Sequence, residues 1–229
     1  MEKKQHVQVP NSLAGKLDPT DVLVYAYLKT YMDKITLEAY PSLETLVKVS
    51  DLSINTVRRS IQNLITNKDI AIKYRGRIRL YKFNPNSIHF EMFTYDFLND
   101  TRLNPKQKAY LITVQQFMYK SEKAGTISLN DIELSKLIKL TPRTIRTRNK
   151  ELEKLNILSI TKSNLKEETG LFKEIKQFDL EALGQAVLFL GTKVKEHDDI
   201  LVHHDMKIKE QQEEIEQLKE LINNLKNGN

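Results

Sequence analysis

The stretch Leu52–Leu64, LSINTVRRSIQNL, places Asn55, Arg59 and Gln62 at helical spacing, with Thr56, Arg58 and Asn63 flanking that stripe and Thr66 beyond it. At about 100° per residue these side chains share one side of a helix, and Ile54, Val57, Ile61 and Leu64 share the other, which must be buried. An arginine fork matches the O6 and N7 acceptors of guanine, and an asparagine or glutamine amide matches N6 and N7 of adenine. The outward face therefore has the chemistry to read base edges. Carboxylates are absent from Leu52–Lys68, and Asp69 is the single acid between Ser53 and Lys82. An ordinary solvated helix carries acids as well, so the imbalance favours a polyanionic partner. Just downstream, Arg75, Arg77 and Arg79 surround Gly76 at alternate positions. Alternation predicts that they share one face of a hairpin, a comb suited to phosphates or to a narrow minor groove. The plainer reading is an edge strand kept soluble by charge.

A second copy of this pattern follows. LDPTDVLVYAYLKTYMD (Leu17–Asp33) matches LNPKQKAYLITVQQFMY (Leu103–Tyr119) 86 residues on, and SLETL (Ser42–Leu46) matches SLNDI (Ser128–Ile132) at the same offset. LSINTVRRSIQNL matches LTPRTIRTRNKEL (Leu140–Leu152) at an offset of 88, which implies two extra residues in the second copy. Three matching blocks in one order predict a duplicated unit. The second outward stripe is Arg143, Thr147 and Lys150, with Thr144 and Arg146 beside it, Lys154 beyond, and Glu151 and Glu153 following. Asn149 falls where the first copy has Ile61. The second copy is expected either to bind DNA as well or to pack against its sister or a partner protein.

Each copy reads as three helices and a hairpin. Helix one begins at Asp18-Pro19 or Asn104-Pro105, a polar cap followed by proline at the first helical position. Its apolar positions in the first copy are Val22, Tyr25, Ala26, Leu28 and Met32, and Tyr25, Tyr27, Tyr110 and Tyr119 are expected to pack within helix one of the two copies. Helix two opens at Ser42, without a capping box, or at Ser128, where Asp131 comes close to one. Helix three is capped by Ser53 or Thr141. The hairpins are IAIKYRGRIRLYKF (Ile70–Phe83) and the pair ILSITKSN and LFKEIKQF (Ile157–Asn164, Leu171–Phe178), whose turn carries Lys162 and Lys166 but also Glu167 and Glu168.

From Val187 the apolar residues keep a seven-residue beat through Val194, Leu201, Ile208, Ile215 and Ile222, with Leu218 and Leu225 at the alternate core positions. This predicts a C-terminal helix that dimerises as a parallel coiled coil through Ile208, Ile215, Leu218, Ile222 and Leu225. A helix folding back on its own domains, or docking on another protein, is the competing reading. His197, His204 and Gln211 make polar layers that weaken its middle, and their spacing suits such layers better than a metal site.

Composition narrows the class. The 229 residues are 40% hydrophobic and 29% charged, with a net charge of +6. The charge is uneven: residues 1–182 carry 30 Lys+Arg against 21 Asp+Glu, and residues 183–229 carry 6 against 9. Cysteine is absent, which removes disulfide and thiolate chemistry and fits a reducing cytoplasm. No apolar run reaches the ~20 residues of a membrane span, and no signal peptide is evident. Among only 7 glycines there is no phosphate loop or dinucleotide fingerprint, and HExxH and GxSxG are absent. No cofactor, metal or catalytic role is expected.

Val9–Ile70, with its VPN entry, PSLETL second helix, LSxxTVxR third helix and following polar-Ile strand start, resembles the winged helix-turn-helix domain of phage and plasmid replication proteins and related regulators. The second repeat is a looser version, lacking the aromatic-Pro before Ser128. The resemblance implies DNA binding, with helix three in the major groove and the hairpin as a wing. Tandem winged helices are also similar in architecture to plasmid initiators that bind repeated origin sequences. The expected fold is mainly α with small β-hairpin wings: winged helices at 7–96 and 97–182, then a coiled-coil helix at 183–229. The expected function is sequence-specific binding of double-stranded DNA by a cytoplasmic, nucleoid- or plasmid-associated homodimer. It would act as a transcriptional regulator, a replication initiator, or an origin- or centromere-binding factor, with a replication, partition or transcription protein as a further partner. The alternative is a non-catalytic scaffold that uses winged helices to bind protein.

Overall fold

The computed structural model describes residues 6–76, 78–84, 89–120, 124–162 and 174–179. The described residues all fall in one compact unit. The heptad segment, and with it Ile208, Ile215, Leu218, Ile222 and Leu225, lies outside the described residues. Among the described residues, no helix is long and apolar enough to cross a membrane.

The first copy comprises α1 (Pro19–Thr30), β2 (Glu38–Ala39), α2 (Leu43–Ser50), α3 (Ile54–Thr66), β3 (Ile70–Arg75) and β4 (Ile78–Phe83), preceded by β1 (His6–Pro10). After β5 (Phe90–Thr94) and the short α4 (Tyr95–Asn99), the same order returns. It runs through α5 (Pro105–Val114), β6 (Tyr119–Lys120), β7 (Ala124–Ile127), α6 (Asp131–Leu137), α7 (Pro142–Lys154), β8 (Leu158–Lys162) and β9 (Glu174–Asp179). The sheets repeat too: β2-β4-β3 in one copy and β7-β9-β8 in the other, all antiparallel. Left-handed backbone recurs at matching points, Asp51 (φ 53) with Lys139 (φ 47) and Lys68 (φ 64) with Asn156 (φ 56).

Two expectations about the second copy change. Its second helix opens at Asn130, not Ser128: Asn130 Oδ1 accepts from the Ile132 and Glu133 amides, and Glu133 Oε2 accepts from the Asn130 amide at 2.9 Å. The complete capping box outcompetes a lone serine, and the extra residues lie before α6. Tyr119 is not helical. A single 3-10 turn at Gln115–Phe117 ends α5, and Tyr119 opens β6, paired with Thr126.

Helix one proves more buried than its spacing suggests. Every residue from Val22 to Leu28 is buried, as is every residue from Gln107 to Val114. A helix apolar all round needs cover all round. Here α1 and α5 pack on each other, so the two copies share one core and the expected division near residue 96 runs through continuous packing. The loops beside them also interlock. A Cβ at Gly15 (φ +75) would lie 2.5 Å from the Leu137 carbonyl oxygen, and Lys139 Nζ donates to the Lys16 carbonyl at 2.6 Å. In the opposite direction, the Tyr27 hydroxyl donates to the Leu98 carbonyl at 2.7 Å.

The small sheet of β1 and β5, with Val7 and Val9 buried beneath it, was not foreseen. Its strands are five residues each and lie some eighty residues apart in sequence, so neither carries a local hairpin signal.

Candidate nucleic-acid interface

Helix α3 begins at Ser53, whose Oγ accepts the Thr56 amide at 3.2 Å, and it buries Val57, Ser60, Ile61 and Leu64. Asn55, Arg58, Arg59 and Gln62 are exposed together on the other side, and no acid occurs in the helix. The polar stripe predicted from spacing is thus a continuous surface. Three details differ. Ile54 is 36% exposed rather than buried, because Ser53–Asn55 stand clear of the core in the first turn. Thr56 is half-buried, and its hydroxyl shares a 2.8 Å hydrogen bond with the Ser53 cap. Asn63 faces inward: its Nδ2 donates to Asp21 Oδ2 on α1 at 2.9 Å, which fixes how α3 lies across the core.

The same brace recurs in the second copy with its polarity reversed. Gln107 Nε2 on α5 donates to Glu151 Oε2 on α7 at 3.2 Å, and Arg148 Nη1 reaches the same oxygen at 2.7 Å. Glu151, an acid beside the basic stripe of α7, is therefore engaged in structure. The lone acid near the first hairpin, Asp69, is likewise held at the end of α3 by Asn67 and by Lys16 at 3.8 Å. Burial raises its carboxyl pKa, and these two partners oppose the rise.

The first hairpin turns at Gly76 (φ +63), in the left-handed region that tight hairpin turns require and glycine adopts freely. Arg77 lies outside the described residues. The register pairs Arg75 with Ile78 and Tyr74 with Arg79. Directly opposed residues share a face, so Arg75 and Arg79 lie on opposite faces, which corrects the single-faced comb. Alternation along the sequence is broken by a two-residue turn, across which residues three apart become neighbours. Arg75 is exposed at the tip beside Ile78 (56% exposed). Arg79 lies on the face that carries Tyr81 and Phe83 to the core. Hydrogen bonds with Tyr81 and Tyr74 raise its pKa above the ordinary arginine value. Nearer the base, Lys73 and Lys82 approach Glu38 at 3.7 and 3.8 Å. The free cationic character is therefore at the tip.

On α7, capped by Thr141, the side chains of Arg143, Arg146, Thr147 and Lys150 are exposed. Thr144 shares a 2.9 Å hydrogen bond with the cap hydroxyl, and Thr147 Oγ1 donates to the Arg143 carbonyl at 3.0 Å. Arg146 Nε lies 3.5 Å from Asp131 Oδ2. Asn149 is 2% exposed and fully engaged: it accepts from the Tyr110 hydroxyl at 2.7 Å and donates to Asp131 Oδ1 at 3.2 Å. Lys176, wholly buried, donates to the Leu129 carbonyl at 2.5 Å and approaches Asp131 Oδ1 at 3.4 Å. Burial, with the Asp131 charge adding, drives the Tyr110 hydroxyl pKa well above its usual value. The corresponding residues of the first copy are Val24, Ile61, Leu43 and Tyr81, so an apolar cluster in one repeat stands where a polar network stands in the other. Only Asn149 was visible as an anomaly in the sequence. Its partners, Tyr110 on α5 and Asp131 on α6, come from two separate elements. The second hairpin turn, with Lys166, Glu167 and Glu168, lies outside the described residues.

Residues 15–68 match the family model of a helix-turn-helix domain. The matched segment runs from the turn before α1 to the end of α3, and β3 and β4 follow it directly as a wing. It is a helix-turn-helix domain whose form is consistent with a winged-helix DNA-binding protein, and it contains the whole acid-free face of α3. No curated protein matches the chain.

Proposed function

We propose that this chain is a sequence-specific double-stranded-DNA-binding protein built from two tandem winged helices. In this reading α3 lies in the major groove, with Asn55, Arg58, Arg59 and Gln62 toward the bases, and Arg75 and Arg77 meet the backbone beside it. The observation that carries it is the exposed, acid-free face of α3 within the matched helix-turn-helix segment. Helix α7 presents Arg143, Arg146, Thr147 and Lys150 from the same compact unit, so one chain offers two reading helices at a fixed separation. The protein is non-catalytic and cytoplasmic. It serves a plasmid- or phage-type element, as transcriptional regulator or as an initiator or centromere-binding factor.

Selection from random duplexes tests this reading. A defined motif is expected, and a flat outcome would leave the interaction-scaffold reading in its place. The heptads from Ile208 to Leu225 support a homodimer. Deleting residues 206–229 should convert dimers into monomers by light scattering, and an unchanged mass would remove the coiled coil from the account.

A further inference from the structure

Asp131, the first residue of α6, has its two carboxylate oxygens differently employed. Oδ1 is anchored inward by Asn149 at 3.2 Å and by the buried ammonium of Lys176 at 3.4 Å. Oδ2 makes an ion pair with Nε of Arg146 at 3.5 Å. The arginine keeps 64% of its side-chain surface exposed while that nitrogen is engaged. A guanidinium held through Nε still has both terminal Nη groups free at the end of its planar fork. That edge is the one that pairs bidentately with O6 and N7 of guanine. Lys176 offsets the charge of Asp131, so the carboxylate can stand near a phosphate backbone without a full repulsive penalty. Holding the fork in advance also removes part of the ordering cost that a long side chain meets on binding.

The first repeat offers a parallel. Arg58 occupies in α3 the place of Arg146 in α7, 88 residues earlier, and it is the one arginine of the reading face that both helices share. A carboxylate from the preceding helix, Glu44, lies near Arg58 as well. Its own backbone N–H and the Ser42 hydroxyl hold its pKa low, and the Arg58 charge contributes in the same direction. The neighbouring positions differ: Asn55, Arg59 and Gln62 become Arg143, Thr147 and Lys150.

We propose that Arg146 reads a guanine in the major groove through its Nη groups, and that Asp131 is the positioning residue that aims it. This rests on the reading that α7 faces duplex DNA. The test is random-duplex selection on the full chain, comparing wild type with Arg146→Lys and Asp131→Asn and including Arg59→Ala as a control on α3. Arg146→Lys keeps the charge on an exposed side chain but loses the fork. It should cut the guanine preference at one position by about 5- to 150-fold and leave the other positions and the salt dependence unchanged. Asp131→Asn should soften that same position alone, whereas a merely structural loss would weaken all sequences alike. If Asp131→Asn does not fold, Arg146→Lys decides the matter. A motif unchanged by Arg146→Lys overturns the inference. If Arg59→Ala still relaxes its own position in that case, DNA binding through α3 stands without it. A flat wild-type selection overturns both.

Discussion

Replacing Asp131 with alanine should destabilise the protein by about 3–5 kcal/mol, as expected when one partner of a buried ion pair is removed. Lys176 has no exposed surface and would lose its ion pair with Asp131, while Asn149 would lose the acceptor of its amide. The cost arises mostly from weaker compensation of a buried charge. Exchanging the whole network for the first-repeat residues should therefore behave differently. A variant with Tyr110→Val, Asp131→Leu, Asn149→Ile and Lys176→Tyr is expected to match or exceed wild-type stability, because well-packed apolar side chains avoid the desolvation of ions. Urea unfolding of both variants checks this. A loss under about 1 kcal/mol for Asp131→Ala would mean that Lys176 relaxes to solvent and that the network is not tightly coupled.

DNA affinity should fall steeply with salt. Arg58, Arg59, Lys68, Arg75, Arg143, Arg146, Lys150 and Lys154 are all exposed, on or beside α3, α7 and the first hairpin. If six such cations meet phosphate, the slope of log affinity against log salt is about −5, and affinity drops roughly a thousandfold between 50 and 200 mM salt. Titrations at four salt concentrations on one duplex measure it. A slope near −2 would restrict phosphate contact to one helix or the wing and would leave α7 off the DNA.

The caps at Ser53 and Thr141, most of the periodic apolar residues and the hairpin around Gly76 were legible because each is written within a dozen residues. Ser53, Thr141, Val57, Ile61 and Leu64 act locally, and their roles follow from spacing alone. Features that depend on distant partners were not legible. Asn63 was expected to flank the outward stripe and is turned inward by Asp21, 42 residues earlier. Asn149 looked like a polar misfit and is satisfied by Tyr110 and Asp131. The face of the arginine comb depended on the register across a two-residue turn, which a count of alternate positions does not follow. The repeat itself was legible. The mutual burial of α1 and α5 was hinted at only by helices with too little polar surface to stand alone.

In the proposed complex the α3 face reads bases while the wing holds the backbone. Binding of wild type, Arg59→Ala and Arg75→Ala to the selected duplex and to each of its single-base variants, at one salt concentration, separates the two roles. Arg59→Ala should lose about 1–3 kcal/mol of discrimination at one base pair and little elsewhere, whereas Arg75→Ala should weaken every duplex by a similar factor. Equal, uniform losses from both substitutions would contradict the assignment of α3 as the reading helix.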